Sequence, residues 1–503
     1  MRKLLPFTLA LSFFISLSIR APSAAIANSA QNNSTDAAER LAQRALSTTA
    51  MIDDLQELCD RIGGRPTGSQ TCERAVDWGA ARFRAAGIQN VKVETYTVPS
   101  LWLPVAAEGA CVSPEPFPIR VVATPYSPST PQNRPLVTRL VDAGDGTAQD
   151  FARLGARARG AIALVHAPEM KTLDDLFAEY FKNLPMLAAA RKAHVAALLL
   201  QSSRPRGLLY RHPMSVVGKT IDIPVGLVSR EHASRLARLA VRGNVTVRLN
   251  LINRIGSAYQ ARNVIAEIRG SERPDEIVLI GAHLDSWELG TGAQDNGVNS
   301  ATVIDIARGI KQLGLTPRRT IRFALFTGEE QGMFGSAGYV KSHAAELDRH
   351  VAMVTYDIGS GRTNGFFLNG REELRRVVEE AMGAVPSLRL TQNPIDGIDG
   401  TDNYDFLLSG VPNLVANQDG APYLPDYHAE SDVFDMVDQT EAKRNAAIAS
   451  VLVWGLAERA ERPAPRQTRA EVERLLRETH LDDQMKAFGQ WDDWVKRRRG
   501  VNR

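Results

Sequence analysis

Cysteine is scarce in this 503-residue chain: Cys59, Cys72 and Cys111 are its whole complement, and no two stand in a Cys-x-x-Cys spacing. Cysteine-held zinc and iron–sulfur sites are therefore excluded. Cys59 falls near the end of one helical pattern and Cys72 near the start of the next, so they could form a disulfide in an oxidising compartment or stay as buried thiols of a helix hairpin. A surplus of one charge is lacking too. Residues 1–27 hold Arg2, Lys3 and Arg20 and no acid, and the remainder balances 57 bases against 57 acids. Such a chain has no general attraction to nucleic acid or to an anionic membrane, and the closing Lys496–Arg499 run reads as a solvated tail. Long apolar runs are missing after the N-terminus, where Arg20 interrupts Leu4–Ile19 before it could span a bilayer. With Arg2 and Lys3 ahead and Ala25-Ile26-Ala27 behind, residues 1–27 read as a signal peptide cleaved after Ala27, which makes the mature chain secreted or periplasmic. No cysteine follows that site, so no lipid anchor is indicated. Internal repeats and low-complexity tracts are absent.

What the chain does have is concentrated between Ile277 and Asp357. The apolar run Ile277–Ala282 ends in His283-Leu284-Asp285. Asp295 follows, ahead of a helical pattern with Val303, Ile306, Ile310 and Leu313 on one face. A second run, Ile321–Phe326, ends in Thr327-Gly328-Glu329-Glu330, and a third, Val351–Val354, ends in Thr355-Tyr356-Asp357. Apolar strands alternating with helices predict an α/β fold, a mixed, mostly parallel sheet with helices on both faces. Ligands of such sheets bind beyond the carboxyl ends of the strands, where His283, Asp285, Glu329, Glu330 and Asp357 fall. An imidazole and several carboxylates without cysteine suit zinc held by nitrogen and oxygen. Two such ions need a bridging carboxylate, and a carboxylate beside a ligand can serve as general base. Any one strand-end acid alone is ordinarily a solvated loop charge; acids at several successive strand ends are not.

The motifs HLDSWELGTGAQDNG (283–297), FTGEEQGMFGS (326–336), TYDIG (355–359), DGTDNYDFLLSGVP (399–412) and DYHAESDVFD (426–435) resemble those of the di-zinc aminopeptidase and glutamate carboxypeptidase family of metallopeptidases, in its plasma glutamate carboxypeptidase-like branch. The resemblance implies a zinc exopeptidase fold and two zinc ions held by His283, Asp295, Glu330, Asp357 and His428. Asp295 would bridge the ions, Glu329 would be the general base, and Asp285 would orient His283. It also implies a cis bond between Asp295 and Asn296. Asp402 lies in a loop that shapes the substrate side in relatives, although it could equally cap the turn Tyr404–Leu408. The branch often has two histidines where this chain has Tyr427-His428, and its glycines after the bridging aspartate are here Val298 and Asn299, which would narrow the cleft floor.

A chain of this length suggests two or three domains. The alternation of Val91–Val98 is followed by prolines at 104, 114, 116, 118, 125, 128 and 131, which mark a boundary. The expected division is residues 28–115 as the N-terminal part of the peptidase domain, 116–255 as an inserted protease-associated domain, 256–462 as the catalytic zinc peptidase domain, and 463–503 as a helical tail with Leu475 and Trp494 as docking residues. The inserted segment contains Tyr210-Arg211-His212-Pro213, a loop able to close over the cleft. The expected activity is exopeptidase cleavage at the free N-terminus of dipeptides or short peptides. A carboxypeptidase or a deacylase would use the same centre, and a receptor-like relative without metal is disfavoured by the intact donor set. Self-association as a homodimer is left open.

Overall fold

The computed structural model describes residues 24–47 and 49–502. Most of the expected signal segment 1–27 lies outside the described residues, and its last four residues open the helix Ala24–Ser47. Among the described residues no helix is long and apolar enough to cross a membrane.

Two sheets organise the chain. The first has seven strands, in the order Asn90–Val98, Tyr259–Ile268, Arg319–Phe326, Arg273–His283, His350–Thr355, Asn413–Gln418 and Thr363–Phe367. The four strands from Arg319–Phe326 to Asn413–Gln418 pair in parallel, and the outer strands pair antiparallel. Every residue of Arg319–Phe326 is buried, as expected for a central strand covered on both faces. On one face Val278, Ile280, Phe323 and Val354 pack against the helices Val298–Gln312 and Gln439–Glu458. On the other, Leu279, Ala324, Phe326 and Met353 meet Tyr339, Val340 and Phe406. The strand period of two thus feeds two separate cores.

The second sheet has eight strands, all between Leu101 and Gly256. The chain leaves the first sheet at Val98 and returns at Tyr259, residues that pair with each other, while Leu101 pairs with Gly256 in the second sheet. One antiparallel ribbon therefore runs through both sheets, and the lobe is an insertion in the path of the chain. Its edge lies earlier than the expected 116. Leu101–Ser113 is already a strand of the lobe, and the prolines punctuate that sheet's margin instead of its boundary, as suits residues that lack an N–H for the ladder.

Of the two readings open for Cys59 and Cys72, the structure has the buried thiols: all three cysteines are free and buried, and the Cys72 thiol faces the Thr67 hydroxyl at 3.8 Å. Other expectations need correction. Val298 and Asn299 are buried away from the cleft, with Asn299 Nδ2 donating to Asn296 Oδ1 at 2.7 Å. The tail is three short helices, Arg469–Glu478, Leu481–Ala487 and Trp491–Val495. Leu475 and Trp494 do dock, in a cluster with Met333, Tyr404 and Leu408. Arg499 is no solvated charge: it pairs with Asp405 at 2.5 Å and donates to the Gly332 carbonyl at 2.9 Å.

Candidate metal centre

The carboxyl ends of the parallel strands converge at one point. His283 ends its strand, Asp295 sits in the loop that follows, Glu329 and Glu330 follow Phe326, and Asp357 follows Thr355. His428 arrives from the loop after Asn413–Gln418, with a left-handed φ of 56°. The Asp295–Asn296 peptide bond is cis. Gly290 allows the His283 and His428 loops to meet backbone to backbone, since a Cβ there would lie 2.6 Å from the Asp432 carbonyl oxygen.

The donors form two halves joined by one residue. His283 Nε2 lies 2.9 Å from Asp357 Oδ1 and 3.1 Å from Asp295 Oδ1. His428 Nε2 lies 2.8 Å from Glu330 Oε2 and 3.3 Å from Asp295 Oδ2. Ligand atoms of His283, Asp295 and Glu330 all fall within 4.8 Å of one another. Tetrahedral coordination at roughly 2.0–2.1 Å per bond sets neighbouring donors about 3.3 Å apart, close to these spacings. The hydrogen bonds decide what belongs between them. His283 Nδ1 is 3.0 Å from the Asp285 carbonyl and His428 Nδ1 is 2.9 Å from the Arg211 carbonyl. With Nδ1 donating, a neutral imidazole turns its Nε2 lone pair toward these carboxylate oxygens. Such crowded acceptors call for a positive charge among them, which a metal ion supplies. Asp295 Oδ2 and Glu330 Oε1, both buried without a hydrogen-bond donor, say the same. The residues present therefore fit a pair of metal ions.

Charge crowding sets the protonation of the centre. Burial pushes Glu329 and Glu330 well above the ordinary carboxylate range, and neighbouring acids add to it. Burial would depress His283, yet Asp357, Asp285 and Asp295 hold its imidazole well above the usual value. Burial takes His428 down to about 4. Glu329 Oε2 lies 3.9 Å from His283 Nε2, outside the tight donor pairs but on the cavity wall.

Two sequence readings change. Asp285, expected to orient His283, meets its Nδ1 through the main-chain oxygen at 3.0 Å, and its Oδ1 stands 3.7 Å away. The carboxylate is drawn off by the Thr67 hydroxyl, which donates to Oδ2 at 2.9 Å, and by Glu329 N at 3.4 Å from Oδ1. Asp402 neither caps the helix Tyr404–Leu408 nor lines the cavity. It is wholly buried, neither oxygen accepts a hydrogen bond, and burial pushes it up to about 8. The members of its loop that reach the cavity are Asp399, Gly400 and Thr401.

Sequence reading missed the residues that hold these donors. Asp432 accepts from Gln294 N at 2.6 Å and Asp295 N at 3.1 Å. Buried Arg65 donates to the carbonyls of Thr291 at 2.7 Å and Gly292 at 2.8 Å. Thr67 accepts from Gly328 N at 2.7 Å while donating to Asp285. The expected Tyr210–Pro213 loop does meet the site: Arg211 N donates to the His428 carbonyl at 2.9 Å, and Tyr210 bridges to Ala429. Only Asp432 carried a signal, its place inside the 426–435 motif.

Above the centre lies a cavity of about 180 Å³. The helix Leu173–Phe181 of the lobe contributes Leu173, Leu176, Phe177 and Tyr180, and the tail contributes Phe488 and Gln490. Tyr427 stacks on His428 with ring centres 3.7 Å apart, and its hydroxyl meets that of Tyr180 at 2.9 Å.

Residues 263–453 match the model of peptidase family M28, and those residues hold every donor described above. The crystal structure of a peptidase M28 precursor from Shewanella amazonensis superposes with a TM-score of 0.79 at 29% identity, covering 87% of this chain and 99% of that one. That stretch, residues 263–453, is the part of the chain that matches peptidase family M28. The chain is also similar to carboxypeptidase Q of Bos taurus, 28% identical over 404 residues, 80% of this chain and 84% of the relative. It shares its fold with a zinc aminopeptidase from Bacillus subtilis at a TM-score of 0.64 and 20% identity, over 83% of this chain and 97% of the other. The match is thus to a metallopeptidase family, and the curated relatives include a carboxypeptidase and a probable lipoprotein aminopeptidase of Mycobacterium tuberculosis, the latter 26% identical over 448 residues, 80% of this chain and 83% of the relative.

Proposed function

We propose that the protein is a secreted di-zinc exopeptidase that releases the N-terminal residue of dipeptides or short peptides, with the lobe as a protease-associated domain over the cleft. The observation that carries this reading is the lining of the cavity: Asp295, Glu329, Glu330, Asp357 and Asp399 face it, and among the described residues no lysine or arginine does. With zinc bound, the charge of Asp295, Glu330 and Asp357 is offset by the ions, and Glu329 and Asp399 remain to attract an ammonium group. C-terminal release, the activity in the name of carboxypeptidase Q, needs a cation for the substrate's carboxylate. The volume above the centre and its cover by lobe and tail suit a free end rather than the middle of a chain.

His283 and Asp357 would hold one ion, His428 and Glu330 the other, with Asp295 between. Bound zinc supplies Lewis acidity and makes a water acidic near neutral pH. Glu329, set back from both donor pairs, takes the proton of the attacking water on its carboxylate and passes it to the leaving nitrogen. Thr67 and Asp285 hold the backbone from which Glu329 reaches out.

The test is a panel of free dipeptides, their N-acetyl forms and longer peptides assayed with zinc. Unblocked substrates should be cleaved far faster than acetylated ones. Comparable rates would overturn amino-terminal recognition, and a preference for acyl substrates would make the protein a deacylase.

A further inference from the structure

One acid of the cavity has no part in the chemistry above. Asp399 lines the cavity, is 1% exposed, and meets no hydrogen-bond donor at either carboxylate oxygen. Its backbone is held in place: Ile398 N donates to Asn369 Oδ1 at 2.9 Å, and Asn403 Nδ2 donates to the Ile398 carbonyl at 2.9 Å. A Cβ on the next residue, Gly400, would meet nothing within 4 Å, so the loop borders open space. Burial pushes the Asp399 carboxyl up to about 7, the behaviour of an acid without a cation beside it. Arg499, which like Asp399 acts on the Tyr404 hydroxyl, is committed to Asp405 and to the Gly332 carbonyl. Gln490 of the tail, 4% exposed, lines the same cavity and leaves its Oε1 without a donor. These acceptors ask for a ligand rich in hydrogen-bond donors.

We propose that Asp399, assisted by Gln490, forms a subsite for the charged head of a lysine or arginine side chain on the residue released from the substrate's amino end. The remaining lining includes Met333, Ile358, Ile398 and Val415, against which an alkyl stem can lie while its head finds partners. The α-ammonium group is the poorer occupant. It must stay beside the scissile carbonyl, near Glu329 and Asp295, and Asp399 is not part of the donor group gathered there. The inference rests on the aminopeptidase reading and narrows its substrates to those with a basic first residue.

The zinc-loaded full chain should be assayed on lysyl, arginyl and norleucyl anilides, norleucine being lysine without its charged head. Lysyl should exceed norleucyl by about 10–100-fold in kcat/KM, the usual value of a charged hydrogen bond. Asp399→Asn should bring that ratio close to one. Equal rates in the wild type, or a ratio unchanged by the substitution, overturn the subsite. Calorimetric binding of lysinamide against norleucinamide repeats the comparison without turnover, and equal affinities are equally fatal to it. Failure of the aminopeptidase reading looks different: no free-amino anilide is cleaved, while lysinamide still binds ahead of norleucinamide.

Discussion

The two halves of the proposed metal centre are built by different means. His283 and Asp357 stand at the ends of neighbouring parallel strands, and the support of this half comes from the catalytic sheet and the Arg65–Thr67 segment. His428 stands on a loop, and the carbonyl that fixes its Nδ1 belongs to Arg211 of the inserted lobe. Arg211 is itself pinned by Glu288, at 3.0 Å from its Nε, and by the Ala123 carbonyl. The electrostatic settings differ as well. His283 is surrounded by carboxylates that favour its charged form, whereas burial and the nearby Arg204 disfavour charge on His428. One half is thus supported from the first sheet, and the other from the lobe as well. The lesson is that a lobe can steady a donor cluster without supplying a donor.

The strongest way to break the comparison is to empty both halves. Chelation should abolish turnover and zinc should restore it; full activity in protein shown by elemental analysis to be metal-free would contradict the assignment. Next is Glu329, which serves both halves and belongs to neither. Glu329→Gln should retain two equivalents of zinc and lose roughly 10²–10⁴-fold in kcat, as removal of a general base does. Glu330→Gln should instead leave one equivalent, and the reverse pattern in the two variants would exchange their roles.

The difference between the halves is sharpened by Arg211→Ala. Freeing the lobe loop should weaken zinc at the His428 half by about 10–100-fold, in line with other outer-sphere partners, and leave the His283 half filled. Equal loss from both halves in a zinc titration would show that the lobe does not discriminate between them. The smallest effect is expected from Thr67→Val on the other side. It strips the donor from buried Asp285 and the acceptor from Gly328 N, at a cost of about 1–3 kcal/mol in thermal unfolding. The His428 half should keep its affinity in that variant.

Much of this site is legible in the chain alone. Ile277–Ala282, Ile321–Phe326 and Val351–Val354 are apolar runs that end abruptly in acids or histidine, and parallel strands place such ends side by side. Those runs predicted the central sheet, and the motifs attached to them named His283, Asp295, Glu329, Glu330 and Asp357. The antiparallel outer strands were less legible, because edge pairing depends on which strand lies alongside. The lobe's true beginning at Leu101 was hidden for a related reason: its first strand is only partly buried, and its prolines look like a linker.

What tertiary structure alone decided is which polar groups meet across long stretches of chain. Thr67 and Asp285 are 218 residues apart, Arg211 and His428 are 217 apart, and neither pair leaves a periodic trace. Nor could the spacing of His283 and Asp285 tell a carboxylate contact from a carbonyl contact, since the choice rests on Thr67 and Glu329 N competing for the carboxylate. The tail shows the same limit. Arg469–Val495 could be read as helical from its pattern, but that Gln490 joins Asp399 in one cavity follows only from the packing of Leu475 and Trp494. Apolar periodicity is local and survives in sequence; hydrogen-bond partnership is a matter of distance in space, and only the folded chain sets it.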